Sequence, residues 1–323
     1  MAYSNYPGGF KDGILVRGVP LIQTHPGKVF WVGNAAASLL TGQKSPSDGN
    51  QGTFNDQFNT LDYAIGRCTA SRGDVIMIKP GHAETISNAT AMAWDVAGVA
   101  IVGLGAGSLR PTFTLDTAAT ATITVSAANV SVQNCIFVAN FADIATFFNI
   151  TTAKEFSVEQ CEFRDTSSIL NAINVIDTNT TANAADGFYF VKNSILSLGT
   201  TAATSAFDLD AACDRWVISE NFYTGGVVNN TPALVDGAAN ALTNLQMHRN
   251  RVYRINTDTA TGALLVATTS TGSTGMATEN YSRHGDTAAA IYFTVGSLIG
   301  LAENYGTGDV DTQGLLIPVA GAD

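Results

Sequence analysis

The chain has 323 residues and a mass of 33.7 kDa, enough to bury a sizeable core as one large domain or two ordinary ones. Hydrophobic residues make up 46% and charged residues only 13%, which excludes disorder and argues against a helix-rich fold, whose solvated faces would need Glu, Lys and Arg. A net charge of −11, with 16 Lys and Arg against 27 acids and no basic stripe, disfavours nucleic acid and anionic membrane as partners, and no apolar run is long enough to predict a membrane span.

In chain order, the start Met1-Ala-Tyr-Ser-Asn-Tyr-Pro-Gly-Gly lacks the basic-then-apolar layout of a secretory signal. That implies synthesis in a cytoplasm, with Cys68, Cys135, Cys161 and Cys213 as free thiols. Residues 1–46 read as an N-terminal arm or cap, with strand-like Ile14–Ile22 and Lys28–Val32. Tyr3, Tyr6, Phe10 and Arg17 are its candidate partner-contacting residues, because exposed aromatics and arginines anchor interfaces. Residues 47–323 read as one unit. Phe58–Ile65 has helical spacing, with Phe58, Leu61 and Ile65 on one side, and Asp74–Lys79 is a strand running into Pro80-Gly81. That helix predicts a cap over the open end of the unit.

Beyond the cap the chain repeats. Seven segments alternate apolar and polar residues and reach an amide that is followed by apolar or aromatic positions. The amides are Asn134, Gln160, Asn193, Asn221, Asn250, Asn280 and Asn304, spaced 26, 33, 28, 29, 30 and 24 residues apart. A unit of that size with short strands and no helix cannot cover its own apolar face, so the units must stack as a solenoid. Asn tolerates a left-handed bend, and amides recurring at one bend predict a structural ladder. Between them lie second strands, at Thr122–Val125, Ala145–Ile150, Ile173–Ile176, Ala206–Leu209, Ala233–Val235, Ala263–Val266 and Ile291–Phe293. The expected fold is all-β: a right-handed parallel β-helix of nine or ten coils with an N-terminal β/helix cap, on the order of 45 Å long. Cys135 and Cys161 each follow an amide and should stack in consecutive coils as small buried hydrophobes.

The best carboxylate cluster is Asp208, Asp210 and Asp214, with Asp236 one coil further, and it is a weak catalytic candidate. His25, His82, His248 and His284 are scattered without metal-ligand spacing, and Ser47-Asp48-Gly49-Asn50 lacks the distant Glu of a calcium loop. Neither a nucleophile elbow nor a phosphate loop is present, so the sequence predicts no metal, no cofactor and no enzyme.

The order Asp48-Gly49, Thr53, Phe58, Thr60-Leu61, Ala64-Ile65, then Gly73-Asp74 through Pro80-Gly81 and Glu84-Thr85-Ile86 resembles the N-terminal opening of pectin-lyase-like right-handed parallel β-helix proteins. Gln57 stands where that family usually has Pro. The family's polygalacturonase motifs do not assemble; Arg254-Ile-Asn256 has Asn where Lys would be needed. The composition and the start of the chain also look like virion proteins of tailed bacteriophages, particularly capsid cement or head-decoration proteins. That resemblance implies a homo-oligomer, often a trimer, clamped on the major capsid protein at the capsid surface of a virion made in a bacterial host. The alternative is a tailspike or receptor-binding β-helix with polysaccharide-binding or depolymerase activity.

Overall fold

The structure is a computed structural model that describes residues 14–16, 19–21, 27–34, 39–198, 205–225, 234–238, 240–254, 265–268, 270–283, 293–295, 298–307 and 315–316. Tyr3, Tyr6, Phe10, Arg17, His25, Asn256 and His284 lie outside them, as does the side chain of Arg254.

The chain winds as a right-handed parallel β-helix with three sheets along its length. Sheet 1 has ten strands, from Val29–Val32 to Leu298–Ala302. Sheet 2 has ten, from Ala83–Ile86 to Tyr305–Thr307 plus Leu315–Leu316, which folds back antiparallel. Sheet 3 has eight, from Ala93–Trp94 to Phe293–Val295. Each coil contributes one strand to each sheet, and like residues stack: Val132 on Val158, Phe137 on Phe163, Phe148 on Ile176. Alternation along each strand sends one residue in and the next out. Stacking then turns single apolar positions into continuous columns. Phe113, Phe137 and Phe163 run face to face at 5.6 and 5.1 Å between centroids. Trp94, Phe148, Phe156, Phe188, Phe207 and Trp216 fill the interior beside them, all fully buried.

The N-terminal end is closed as its sequence predicts, with a shorter helix. Phe58 forms a bridge to Val32, and the helix itself spans Leu61–Gly66. It starts there because Asp48 accepts the backbone N–H groups of Asn59 and Thr60, Thr60 caps Tyr63, and Glu84 accepts the Leu61 N–H at 3.0 Å. Leu61, Ala64 and Ile65 face the first coil. Gln57 is fully buried for a local reason: its carbonyl oxygen accepts the Lys79 ammonium at 2.8 Å, which a Pro could not do. Val29–Val32 pairs in register with Val75–Ile78, so this part of the N-terminal segment is the first strand of sheet 1. Ile14–Val16 and Val19–Leu21 form a small antiparallel ribbon.

Asp74 ties this end together. Its fully buried carboxylate takes the Arg72 guanidinium at 2.7 and 2.6 Å and the backbone N–H groups of Lys28 and Thr69. Burial pushes the carboxyl up, but the Arg72 and backbone hydrogen bonds outweigh it and hold it below the ordinary aspartate range. A depressed carboxyl stabilises the fold above the unfolded pKa and loses that contribution as pH falls through the folded one. Asp74→Asn should therefore cost about 3 kcal/mol near neutrality and less in acid, read by chemical unfolding at two pH values.

Candidate functional site

The amide ladder is the most organised polar feature. Every coil in question leaves sheet 1 through a residue in the left-handed region: Asn134, Gln160, Lys192, Glu220, Arg249, Glu279 and Glu303, with φ between 51 and 58°. The next residue begins the turn into sheet 2, and there the ladder stands. Asn193, Asn221, Asn250, Asn280 and Asn304 are at most 2% exposed. The Oδ1 of each of the last four accepts both the backbone N–H and the side-chain Nδ2 of the Asn one coil before, the side-chain bonds measuring 3.3, 3.0, 2.9 and 2.9 Å. Each of the five Nδ2 groups also donates to a sheet 1 carbonyl, such as Ile218 for Asn250. The expectation of a single seven-amide column needs correction. Asn134 and Gln160 are the left-handed bend residues themselves, and Cys135 and Cys161 occupy the ladder position, where the Cys161 N–H donates to Asn193 Oδ1 at 2.8 Å. The bend selects for a tolerated left-handed residue, and the following position selects for the amide. Asn can serve either one.

A second arrangement is acidic and faces outward on sheet 3. Register places Asp177, Asp208 and Asp236 in one column, on strands Ala172–Thr178, Ser205–Leu209 and Val235–Ala238. Adjacent strands put them about 4.8 Å apart along the axis. All three are half-buried, and exposed Asp210 stands beside the middle one. Asn174 donates to Asp208 Oδ2 at 3.2 Å. Burial pushes the Asp177 carboxyl up to about 6, helped by the charges of Asp210 and Asp208. Burial also raises Asp208, with Asp236 and Asp210 adding to it and the Asn174 hydrogen bond opposing. Asp214 does not belong to this group. It lies on the short strand Cys213–Asp214, where hydrogen bonds from Thr243 at 2.6 Å and Asn244 at 2.7 Å, with Arg215 beside it, hold its carboxyl below the usual range. Sequence proximity to Asp210 suggested a cluster, but the intervening turn carries Asp214 to a different strand pair. Asp177 was missed. Its signal was the aligned triplets Val175-Ile-Asp177, Ala206-Phe-Asp208 and Leu234-Val-Asp236.

A raised carboxyl stabilises the fold below its unfolded pKa and loses that contribution as pH rises through its folded value. For Asp177 the window runs from about 4 to about 6. Asp177→Asn should raise the melting temperature at pH 7.5 and leave it nearly unchanged at pH 4, as thermal unfolding at both values would read.

Of the remaining candidates, His82 is buried with Nε2 3.1 Å from Glu84, and His248 Nδ1 lies 2.8 Å from Thr278 Oγ1. Asp48 is spent on the cap. Burial pushes the thiols of Cys68, Cys161 and Cys213 up to about 12 and that of Cys135 well above its ordinary value. Among the described residues, no three His, Cys, Asp or Glu side chains form a group suited to a metal ion.

No protein-family model matches the chain, and no curated protein does. Among solved structures, a rhamnogalacturonan lyase is similar over 80% of this chain and 74% of its own, at 15% identity and a TM-score of 0.41. Pectate lyase Pel9A is similar over 91% of this chain and 82% of its own, at 13% identity and a TM-score of 0.38. At these values neither likeness carries an activity or a substrate over to this chain.

Proposed function

We propose that the chain is a non-catalytic structural protein of a virus particle, of the kind that decorates and stabilises an assembled shell. The observation that supports this reading is where the reactive and polar groups are spent. The five ladder amides, the carboxylates of Asp74 and Asp48 and the Lys79 ammonium are all used in internal bonds, and the thiols are held protonated. A shaft built this way is stiff and chemically quiet, which suits a load-bearing part. The low charge and the Thr/Ala/Asn-rich β-helix, which resemble those of tailed-bacteriophage decoration proteins, support a phage particle as the shell in this reading.

Purified protein added to assembled shells should bind them in fixed stoichiometry, ignore free capsid subunits and raise the shells' melting temperature, because it stabilises only the state it binds. Deleting residues 1–26 should leave the β-rich circular dichroism spectrum intact and abolish binding. A full-length protein that binds no shell would overturn the reading, and a truncated one that still saturates shells would remove the arm from it.

A second reading, polysaccharide binding or cleavage, is favoured by one observation: Asp177, its carboxyl pushed up to about 6 by burial and by the charges of Asp210 and Asp208, stands one coil from Asp208. Their stacking distance is close to the ~5–5.5 Å of acid and nucleophile in retaining glycosidases. That reading expects new chain ends released from an acidic or neutral capsular polysaccharide, with the release lost in Asp177→Asn and Asp208→Asn. Intact polysaccharide chain length across a host panel would reject it.

A further inference from the structure

Sheet 2 presents a surface of a different kind. In its C-terminal coils, register stacks Phe222, Arg251, Tyr281 and Tyr305 in one column, with Tyr253 paired to Arg283 in the next. Phe222 is 42% and Tyr305 45% exposed, and Arg251 and Arg283 are exposed. The rings touch diagonally, Phe222 to Tyr253 at 5.4 Å and Tyr253 to Tyr281 at 5.8 Å. Arg164 and Arg249 elsewhere on the outside are paired with Glu162 and Glu279, whereas Arg251 and Arg283 make no ion pair among the described residues. Two guanidinium groups without an ion pair among the described residues, beside three tyrosines and a phenylalanine, stand out on a chain of net charge −11.

We propose that this strip docks a second copy of the chain through that copy's acidic face, the outward side of sheet 3 at Asp177, Asp208 and Asp210. Charge complementarity is the first argument. The second is pitch: both surfaces advance by one strand spacing, about 4.8 Å, per coil. Arg251 and Arg283 are one coil and two residues apart, as are Asp177 and Asp210. Two shafts lying side by side therefore repeat their charges at the same interval, which a partner without this pitch does not. The two patches differ, so the contact is heterologous and leads to a closed ring or an open array. Exposed ion pairs contribute little each. Affinity comes from covering the four rings, while the charges fix the partner and its register. This inference stands apart from the particle reading, since self-association and shell binding are measured separately.

The test is sedimentation of the full chain from micromolar to near-millimolar concentration, at low and high salt. Wild type should associate, and salt should weaken it. The double variants Arg251→Glu/Arg283→Glu and Asp208→Lys/Asp210→Lys should each associate at least about tenfold more weakly while keeping the wild-type circular dichroism spectrum. Mixed together they should recover association in one-to-one proportion, because the glutamate strip of one then faces the lysine face of the other and the unaltered arginine strip faces the unaltered acidic face. A protein monomeric at every concentration would overturn the proposal, as would reversals without effect or a mixture that does not recover association. Binding of polygalacturonate to the strip of a strictly monomeric chain would overturn it too, in favour of an acidic glycan.

Discussion

Asn250→Ala should lower the free energy of unfolding by about 4 kcal/mol, one of the two largest single-residue effects expected in this chain. Asn250 is fully buried in the middle of the ladder. Its Nδ2 donates to Ile218 O and Asn280 Oδ1, both at 2.9 Å, while its Oδ1 accepts the Asn221 N–H at 3.1 Å and the Asn221 Nδ2 at 3.0 Å. Truncation leaves the Asn221 N–H without its acceptor in a place that water does not reach. Each orphaned group costs about 1–3 kcal/mol, and a small void adds to it. The C-terminal member gives the control. Asn304→Ala interrupts the column on one side only and should cost about half as much. Denaturant unfolding of both variants checks the order. Hydrogen exchange should show protection lost first at Asn221 and Asn193, the amides below the break.

Phe163→Ala should cost about 3–5 kcal/mol. Phe163 has no exposed surface and touches four other rings: Phe137 at 5.1 Å, Phe147 at 5.5 Å, Phe190 at 5.7 Å and Phe148 at 5.8 Å. The stack above and below cannot collapse into the gap without shifting whole coils, so the cavity term stays large. Phe163→Leu keeps most of the volume and should lose about 1–2 kcal/mol. A truncation no worse than the leucine variant, measured by denaturant unfolding, would mean the rings do not form a continuous core column.

The repeat was legible because one coil cannot bury its own apolar face, and period-2 runs at a steady interval leave few other architectures. The exact column was less legible. The bend residue and the ladder residue are neighbours, and both can be amides, so Asn134-Cys135 and Gln160-Cys161 slip by one against Lys192-Asn193 unless the backbone angle is known. The strands of sheet 3 were found; Leu234 and Leu265 stand just before two of them, which begin at Val235 and Val266, while the expected starts at Ala233, Ala263 and Ile291 lie outside the described residues. The capping helix was legible in type, and its start was not, because a carboxylate thirteen residues upstream at Asp48 sets it. The acidic column mixed both cases. Asp208 and Asp236 were paired correctly by coil counting, but Asp177 needed the register across Ala172–Thr178, and Asp214 followed the chain rather than the sheet. The aromatic–arginine strip on sheet 2 has no signal in any one repeat, because its members come from four coils and alternate between two columns.

The most direct measurement is a crystal structure that resolves side chains from Ser157 to Asn304. The account predicts Asn193, Asn221, Asn250, Asn280 and Asn304 in single file inside a right-handed shaft, with neighbouring Nδ2 and Oδ1 atoms 2.9–3.3 Å apart. Gln160 should lie at a bend one residue out of that file. Amides dispersed over different faces, or these strands paired antiparallel with their neighbours, would contradict it.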